Sequence, residues 1–302
     1  MEREIEYGKA EISVYRTYAT PLECTPIPES TCTGRDNVLF AALVDMRVFG
    51  KNFLAAYTDG DNAQVVATDT MKNVVYAMAL EYDGATLEGF AAFLARRFLE
   101  TYPVMESLEI QVREQPFDRV GEALFDRRRD DCSSARVRGE RRGDTVVLTE
   151  AESGRLDLRL IKITGSSFTR FARDEFTTLP ETVDRPLFIH LDVHWRYGLM
   201  PAGLGELAAQ YVHADQIRDL VRHTFDQFNS RSIQHLVDEI GKRILARLPQ
   251  LAEVRFDAQN RTWETAGTSE GDGWAKVYTD PHGTFGNIAL VLRRSGPVTP
   301  VR

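Results

Sequence analysis

Residues 5–18 (IEYGKAEISVYRTY) alternate apolar and polar side chains, the two-residue period of a strand with one buried face. A stretch rich in Pro, Thr and Cys interrupts the alternation at 20–37; it is too long for a hairpin turn and predicts an exposed surface loop. Residues 38–58 (VLFAALVDMRVFGKNFLAAYT) regain apolar density and predict a second long strand, bent at Gly50. The period then changes. Met71, Val74, Val75 and Met78 fall on one helical face, with Thr68 or Asp69 placed to cap a helix running to about Tyr82. Thr86 opens another helix carrying Phe90, Phe93, Leu94, Phe98 and Leu99, and Pro103 stops it. Strands are predicted at 106–118 and 132–150, with the charged run 126–131 as a solvated tip between them.

The second half repeats this order. Strands fit at 155–167 and 186–197, helices at 214–230 and 232–248, and strands again at 251–265 and 286–294. The later helix carries Ile233, Leu236, Val237, Ile240 and Ile244 on one side. Strand, strand, helix, helix, strand, strand thus occurs twice, in units of about 145 residues, which we divide as 1–150 and 151–302. Paired strands flanking two helices predict antiparallel sheets with helices on one face, an α+β plan.

Composition narrows the function. Apolar residues at 43% and charged residues at 27% describe a globular chain with ample core, and a net charge of −8 argues against a nucleic-acid surface. An anion pocket would therefore need local Arg or Lys. The three cysteines, Cys24, Cys32 and Cys132, are odd in number and show no ligand-cluster spacing, which predicts a reducing compartment. The start (MEREIEYGK) lacks an apolar leader, no run approaches the roughly 18 apolar residues of a membrane span, and the final TPVR is not a peroxisomal address. A cytoplasmic protein without membrane partners is the expectation.

Candidate chemistry concentrates at 168–185, FTRFARDEFTTLPETVDR. Phe168 and Phe171 offer ring faces, and Arg185 offers a planar fork of donors suited to paired acceptors on a flat anion. This stretch resembles the urate oxidase (uricase) signature, in which a Phe, a D-x-[FY]-T-T-L turn and a D-R pair close one wall of the substrate pocket. Three more stretches resemble the same family in the same order: Tyr7-Gly8-Lys9, VATDTMKN at 66–73, and Asn260-Arg261-Thr262-Trp263. Together they reach from residue 7 to about 290.

The resemblance implies the tunnelling fold: two tandem ββααββ units whose sheets close into a barrel when subunits pair, four subunits forming a tetramer. It also implies oxidation of urate by dioxygen and water to 5-hydroxyisourate and hydrogen peroxide, without cofactor or metal. Arg185 and Gln234 would hold opposite edges of the purine, Ile233 would offer its backbone N–H, and Phe168 would stack on the ring face. Lys9 and Thr68 match the proton-relay pair, with Asp69 beside the ligand; in the family these three come from the neighbouring subunit. Asn260 matches the residue that holds water or dioxygen above the ring. The chain departs from many members just after it, where Arg261 and Thr262 stand in place of a histidine; Thr262 is the candidate replacement in the relay.

Two rivals remain at this point. A pterin-processing enzyme of the same fold would need zinc ligands or a nucleophilic Cys with an anchoring Glu, where here an Arg and a Gln stand. A non-catalytic purine-binding scaffold would have no use for Lys9 and Thr68. His190, Asp192 and His194 share a strand face at metal-compatible spacing, but a solvent or subunit contact is the simpler reading. Gly203-Leu204-Gly205 is too short for a dinucleotide fingerprint, and Cys132 reads as structural.

Overall fold

The computed structural model describes residues 2–128, 131–198, 211–271, 275–281 and 283–295; Gly203-Leu204-Gly205 lies outside them. The N-terminal alternation folds as β1 (Glu6–Thr17), the 20–37 segment carries β2 (Leu22–Glu23) and β3 (Gly34–Arg35), and β4 is Leu39–Phe49. Then come α1 (Leu54–Thr58), α2 (Thr68–Glu81), α3 (Leu87–Thr101), β5 (Ser107–Glu114), β6 (Phe117–Arg119), β7 (Phe125–Arg127), β8 (Cys132–Arg142) and β9 (Thr145–Lys162). The second half continues with β10 (Leu187–Tyr197), α4 (Ala214–Gln227), α5 (Ile233–Arg247), β11 (Leu251–Arg261), β12 (Thr265–Thr268), β13 (Lys276–Tyr278) and β14 (Gly286–Arg293). Eight strands form one antiparallel sheet in the order β1-β4-β5-β8-β9-β10-β11-β14. The α+β expectation with antiparallel pairing is met. The division at 150/151 falls inside β9, a single strand shared by both halves of the sheet.

Alternation decides which face is covered. In β10, Leu187, Ile189, Leu191, Val193 and Trp195 are buried beneath α4 and α5, while His190, Asp192, His194 and Arg196 face the other way. The first half repeats this with Val44, Met46, Val48, Leu108, Ile110 and Val112 against Met71, Val75, Phe90, Leu94 and Phe98. The helix-free face is polar. There Glu152 gathers Arg136 at 3.2 Å, Arg196 at 3.1 Å and Arg255 at 3.5 Å.

Several sequence expectations need correction. β4 ends at Phe49, because Gly50 takes φ +158° and the following residues turn into α1; the 38–58 strand is a strand and a short helix. Neither Thr68 nor Asp69 caps α2: the cap position is Ala67, without a side-chain bond, and Thr68 is the first helical residue. Thr86 does cap α3, accepting from the Gly89 amide at 3.0 Å. The 132–150 strand is two, turned at Gly143 (φ +62°). The 126–131 run is only partly solvated, since Asp131 is buried against Arg155. The 20–37 loop is not a free surface loop either. Asn37 is buried, its amide bonded to the Thr20 and Ala85 carbonyls, and Ser30 donates to Asp219 on α4 at 2.6 Å.

Two bulges repeat in detail. In β1, Glu11 takes φ 56° and its amide donates to Asp45 at 2.6 Å; in β9, Asp157 takes φ 59° and its amide donates to Asp192 at 2.7 Å. Each places a carboxylate on the neighbouring strand to hold an otherwise strained left-handed residue.

Glu88 at the start of α3 is 5% exposed, accepts from the Ser153 hydroxyl at 2.6 Å, and has its second oxygen buried without a hydrogen-bond partner among the described residues. Burial pushes its carboxyl above the usual range, with the Ser153 bond opposing. A carboxyl raised in the folded state favours folding below the unfolded value near 4.3, and that contribution is lost as pH rises through the folded value. Glu88→Gln is therefore expected to raise the thermal midpoint at pH 8 and to leave it almost unchanged at pH 4.5, read from melts of both proteins at the two pH values.

Candidate active site

The 166–185 segment is fixed at both ends before it offers any side chain to a ligand. Ser166 pairs with Ser230, whose carbonyl accepts from the Ser167 amide at 2.8 Å, and the Arg185 amide returns to the Ser166 carbonyl at 2.8 Å. Asp184 accepts from the Thr164 hydroxyl at 2.6 Å and the Gly165 amide at 2.7 Å, which holds its carboxyl below the usual range. The Asp-Arg pair thus has a division of labour: Asp184 anchors the loop, and Arg185 is aimed.

Its target is a cavity of about 210 Å³ lined by Phe168, Leu179, Arg185, Ile233, Gln234, Asn260, Thr262 and the Gly286–Ile288 edge of β14. Six sequence candidates, from Phe168 to Thr262, meet here although they are spread over almost a hundred residues. The volume is below the roughly 300–1,000 Å³ of drug-sized pockets and suits a small heterocycle. Phe168 backs onto Phe171, stacked at 4.9 Å and 12°, and Arg185 lies 5.4 Å from the Phe168 ring centre. Burial pulls the Arg185 guanidinium below its ordinary value, and among the described residues its buried Nε has no partner and the group forms no ion pair. A half-buried cation with no carboxylate beside it is costly unless an anion arrives.

Ile233 and Gln234 begin α5. Ser232 caps that helix by accepting from the His235 amide at 3.1 Å, so the N–H groups of Ile233 and Gln234 have no acceptor within the helix. Ile233 is buried, and the Gln234 side chain is exposed at the cavity rim. Asn260 pairs with Gly286 in the ladder, where the missing side chain keeps the space beside Asn260 clear.

Lys9, Thr68 and Asp69 form a separate group. The Val66 amide donates to the Tyr7 hydroxyl at 3.1 Å, which ties the YGK stretch of β1 to the N-terminus of α2. The Asp69 carboxylate accepts from Lys72 at 2.6 Å and Asn73 at 3.1 Å, and Lys72 chiefly holds its pKa below the usual range, with Lys9 a weaker contributor. Lys9 is half-buried and forms no ion pair among the described residues. Within one chain the two groups do not meet. Lys9 on β1 and Asn260 on β11 are six strand steps apart in the sheet, roughly 29 Å at about 4.8 Å per step.

The uricase family model matches residues 5–142 and 151–289. The chain belongs to the uricase family. Uricases of Haloferax volcanii and Halalkalicoccus jeotgali are 44% and 45% identical to it, over 92% and 96% of this chain and 94% and 98% of their own. A bifunctional uric acid degradation protein of Bacillus subtilis is 41% identical over 95% of this chain, which spans 60% of that protein's length. The crystal structure of urate oxidase from Bacillus sp. TB-90 superimposes with a TM-score of 0.93 at 39% identity, over 96% of this chain and 100% of that one.

For this uricase-family chain, sequence reasoning missed Leu179 and the Gly286–Ile288 edge. Leu179 lay within the quoted motif without a role; nothing in the β14 pattern marked its first residues as a wall. Arg261, in the position of uncertain effect, turns away from Thr262 to bond Gln259 and lie 4.0 Å from the Phe285 ring centre. His190, Asp192 and His194 do share a face, and His194 sits 3.6 Å from Glu152. Cys32 comes together with His213 and Asp215, an association of potential ligand atoms that chain spacing concealed.

Proposed function

We propose that the chain oxidises urate with dioxygen and water to 5-hydroxyisourate and hydrogen peroxide, without a cofactor, as a cytoplasmic homotetramer with active sites shared between subunits. The observation that carries this reading is the Arg185 guanidinium, without an ion pair among the described residues, facing one small cavity with Gln234 and Phe168. The Arg185 fork and the Gln234 amide, on opposite edges, match the alternating donors and acceptors of a purine trione, and analogues lacking them leave those groups unpaired. Phe168 supplies the stacking face and Asn260 a hydrogen-bonding side chain for water or dioxygen above the ring. A proton leaving urate passes through the Thr68 hydroxyl to Lys9, and the more electron-rich dianion then reduces dioxygen. Thr262 offers a hydroxyl in place of the family histidine.

Internal repetition supports sharing between subunits and the division into units 1–150 and 151–302. The bulges of β1 and β9 align Lys9 with Arg155, and the same spacing of roughly 146 residues aligns Asp69 with Asp215, Gln234 with Glu88 and Asn260 with Glu114. Arg155 bonds Asp215 at 2.8 Å and lies 3.9 Å from Glu114, and Glu88 and Glu114 line one cavity with Asn37 and Ala214. So inside the chain, the counterpart of the lysine group already abuts the counterpart of the purine wall. A second copy repeating that junction would bring the partner's lysine group to the cavity of Arg185 and close the barrel. Exposed apolar side chains flank both groups, Tyr76 and Leu80 on α2 and Phe176 and Val183 on the loop, as expected of faces that become covered.

The test is direct. Purified protein with urate in air is expected to consume urate and release one peroxide per urate, with or without a chelator. An assembled protein that leaves urate untouched would favour a purine-binding scaffold. Loss of activity on chelation with assembly intact would refute a reaction that needs no metal.

A further inference from the structure

The 20–37 loop meets the N-terminus of α4 at the junction between the two halves. Gln216 donates to the Thr25 carbonyl at 2.7 Å, Arg247 pairs with Glu29 at 2.5 Å, and Ser30 reaches Asp219. Inside this clasp, ligand atoms of Cys32, His213 and Asp215 all lie within 4.8 Å of one another, the only such group among the described residues. A second sulfur borders it: the Cys24 thiol donates to the Cys32 carbonyl at 3.6 Å. His213 is 3% exposed; its Nδ1 lies 3.9 Å from Asp215 Oδ2 and accepts from the Asp215 amide at 3.1 Å as the cap of α4, so coordination falls to Nε2 or replaces that bond. Asp215 uses Oδ1 for Arg155 and Arg218, at 2.8 and 3.0 Å, and so has Oδ2 to give.

We propose that this junction is a re-lined counterpart of the active-site architecture that binds one zinc-class divalent cation through Cys32, His213, Asp215 and Cys24. A tetrahedral site with metal–sulfur distances near 2.3 Å and metal–nitrogen or metal–oxygen distances of 2.0–2.2 Å needs ligands about 3.5 Å apart, so Cys32, His213 and Asp215 close on the ion by roughly 1 Å of movement, while Cys24, outside that group of three, has to swing in further. Thiolate, imidazole and carboxylate together select zinc over magnesium or calcium. Two thiolates and the Asp215 carboxylate leave the loaded site with a net charge of −1, which the positive end of α4 and the nearby arginines offset. The ligands come from two segments far apart in sequence, and the ion fastens the loop to α4.

The counterpart relation rests on the tandem-unit reading above; the ligand group does not. Under it, His213-Ala214-Asp215 stands where the first half has Ala67-Thr68-Asp69, and the 20–37 loop stands where the second half has its 168–185 wall. The cavity beside the group is only about 50 Å³, room for water or an ion and not for a bicyclic ring.

The test uses the whole assembled protein, kept reduced with a phosphine and freed of metal by dialysis. Cobalt(II) titration is expected to show one ion per chain, with thiolate-to-cobalt charge-transfer absorption and tetrahedral bands, displaced stoichiometrically by zinc. Zinc should also raise the thermal midpoint by several degrees. Cys32→Ser should abolish the charge-transfer band and the zinc-dependent stabilisation, and Cys24→Ser should weaken binding at least tenfold. The proposal is overturned if reduced wild-type protein takes up no cobalt, if bound cobalt shows no thiolate band, or if Cys32→Ser binds as the wild type does. Urate turnover is read on the same samples. A protein that binds cobalt but spares urate refutes the proposed reaction alone, and one that consumes urate without binding cobalt refutes the metal site alone.

Discussion

Lys9→Ala should lower kcat for urate by about 10²- to 10⁴-fold, the usual contribution of a positioned proton acceptor, while urate affinity changes by no more than a few-fold. Lys9 lies outside the cavity lined by Arg185 and Gln234, so removing it costs the substrate no contact made by that wall. It is also a half-buried strand residue without an ion pair among the described residues, so the fold loses little. The separation of the two groups adds a second readout. Mixed assemblies of Lys9→Ala and Arg185→Ala chains should regain activity, because about a quarter of randomly formed shared sites would combine two intact halves. Steady-state kinetics of each variant and of refolded mixtures check both. Unchanged kcat in Lys9→Ala rejects the base; no recovery in mixtures rejects sharing.

Arg185→Ala should act on binding instead, raising the urate Kd by two to three decades, roughly 3–4 kcal/mol for a bidentate, charge-assisted pair. Arg185→Lys should recover little, since an ammonium cannot reproduce two parallel donors. Stability should move the other way. The guanidinium is half-buried, with its Nε unpartnered among the described residues, so Arg185→Ala is expected to leave the ligand-free protein as stable as the wild type or more so. Calorimetric titration with urate and thermal melts of the same samples read the two effects. A variant that binds urate normally, or that binds weakly only because it is unfolded, removes Arg185 from the site.

What could be read in advance follows from the range of the interaction concerned. The helices were legible because burial imposes a period: Phe90, Leu94 and Phe98, like Leu236, Ile240 and Ile244, are core residues in the structure as their spacing required. Thr86 was legible as a cap because the Gly89 amide it accepts from is three residues away. Thr68 was not, since its suitability as a cap says nothing of Tyr7, which holds Val66, two residues earlier, from β1. The cavity residues were named by resemblance to a family, and geometry then gathered Phe168, Arg185, Ile233, Gln234, Asn260 and Thr262. Residues without a local pattern were missed. Asp131 reads as one charge in a charged run until Arg155 is seen beside it, and Cys32 reads as solitary until α4 packs against its loop.

The continuity of β9 across both halves has a kinetic consequence. Joined by one strand, the halves meet at an effective concentration in about the millimolar range, whatever the protein's abundance, whereas two separate chains must find each other by diffusion. A seam that covalent linkage keeps closed can tolerate poor chemistry, and the unmatched Glu88 oxygen sits at such a seam. The contact between molecules has no tether to compensate for a bad fit, so substitutions should accumulate faster along the internal seam than along the outer one.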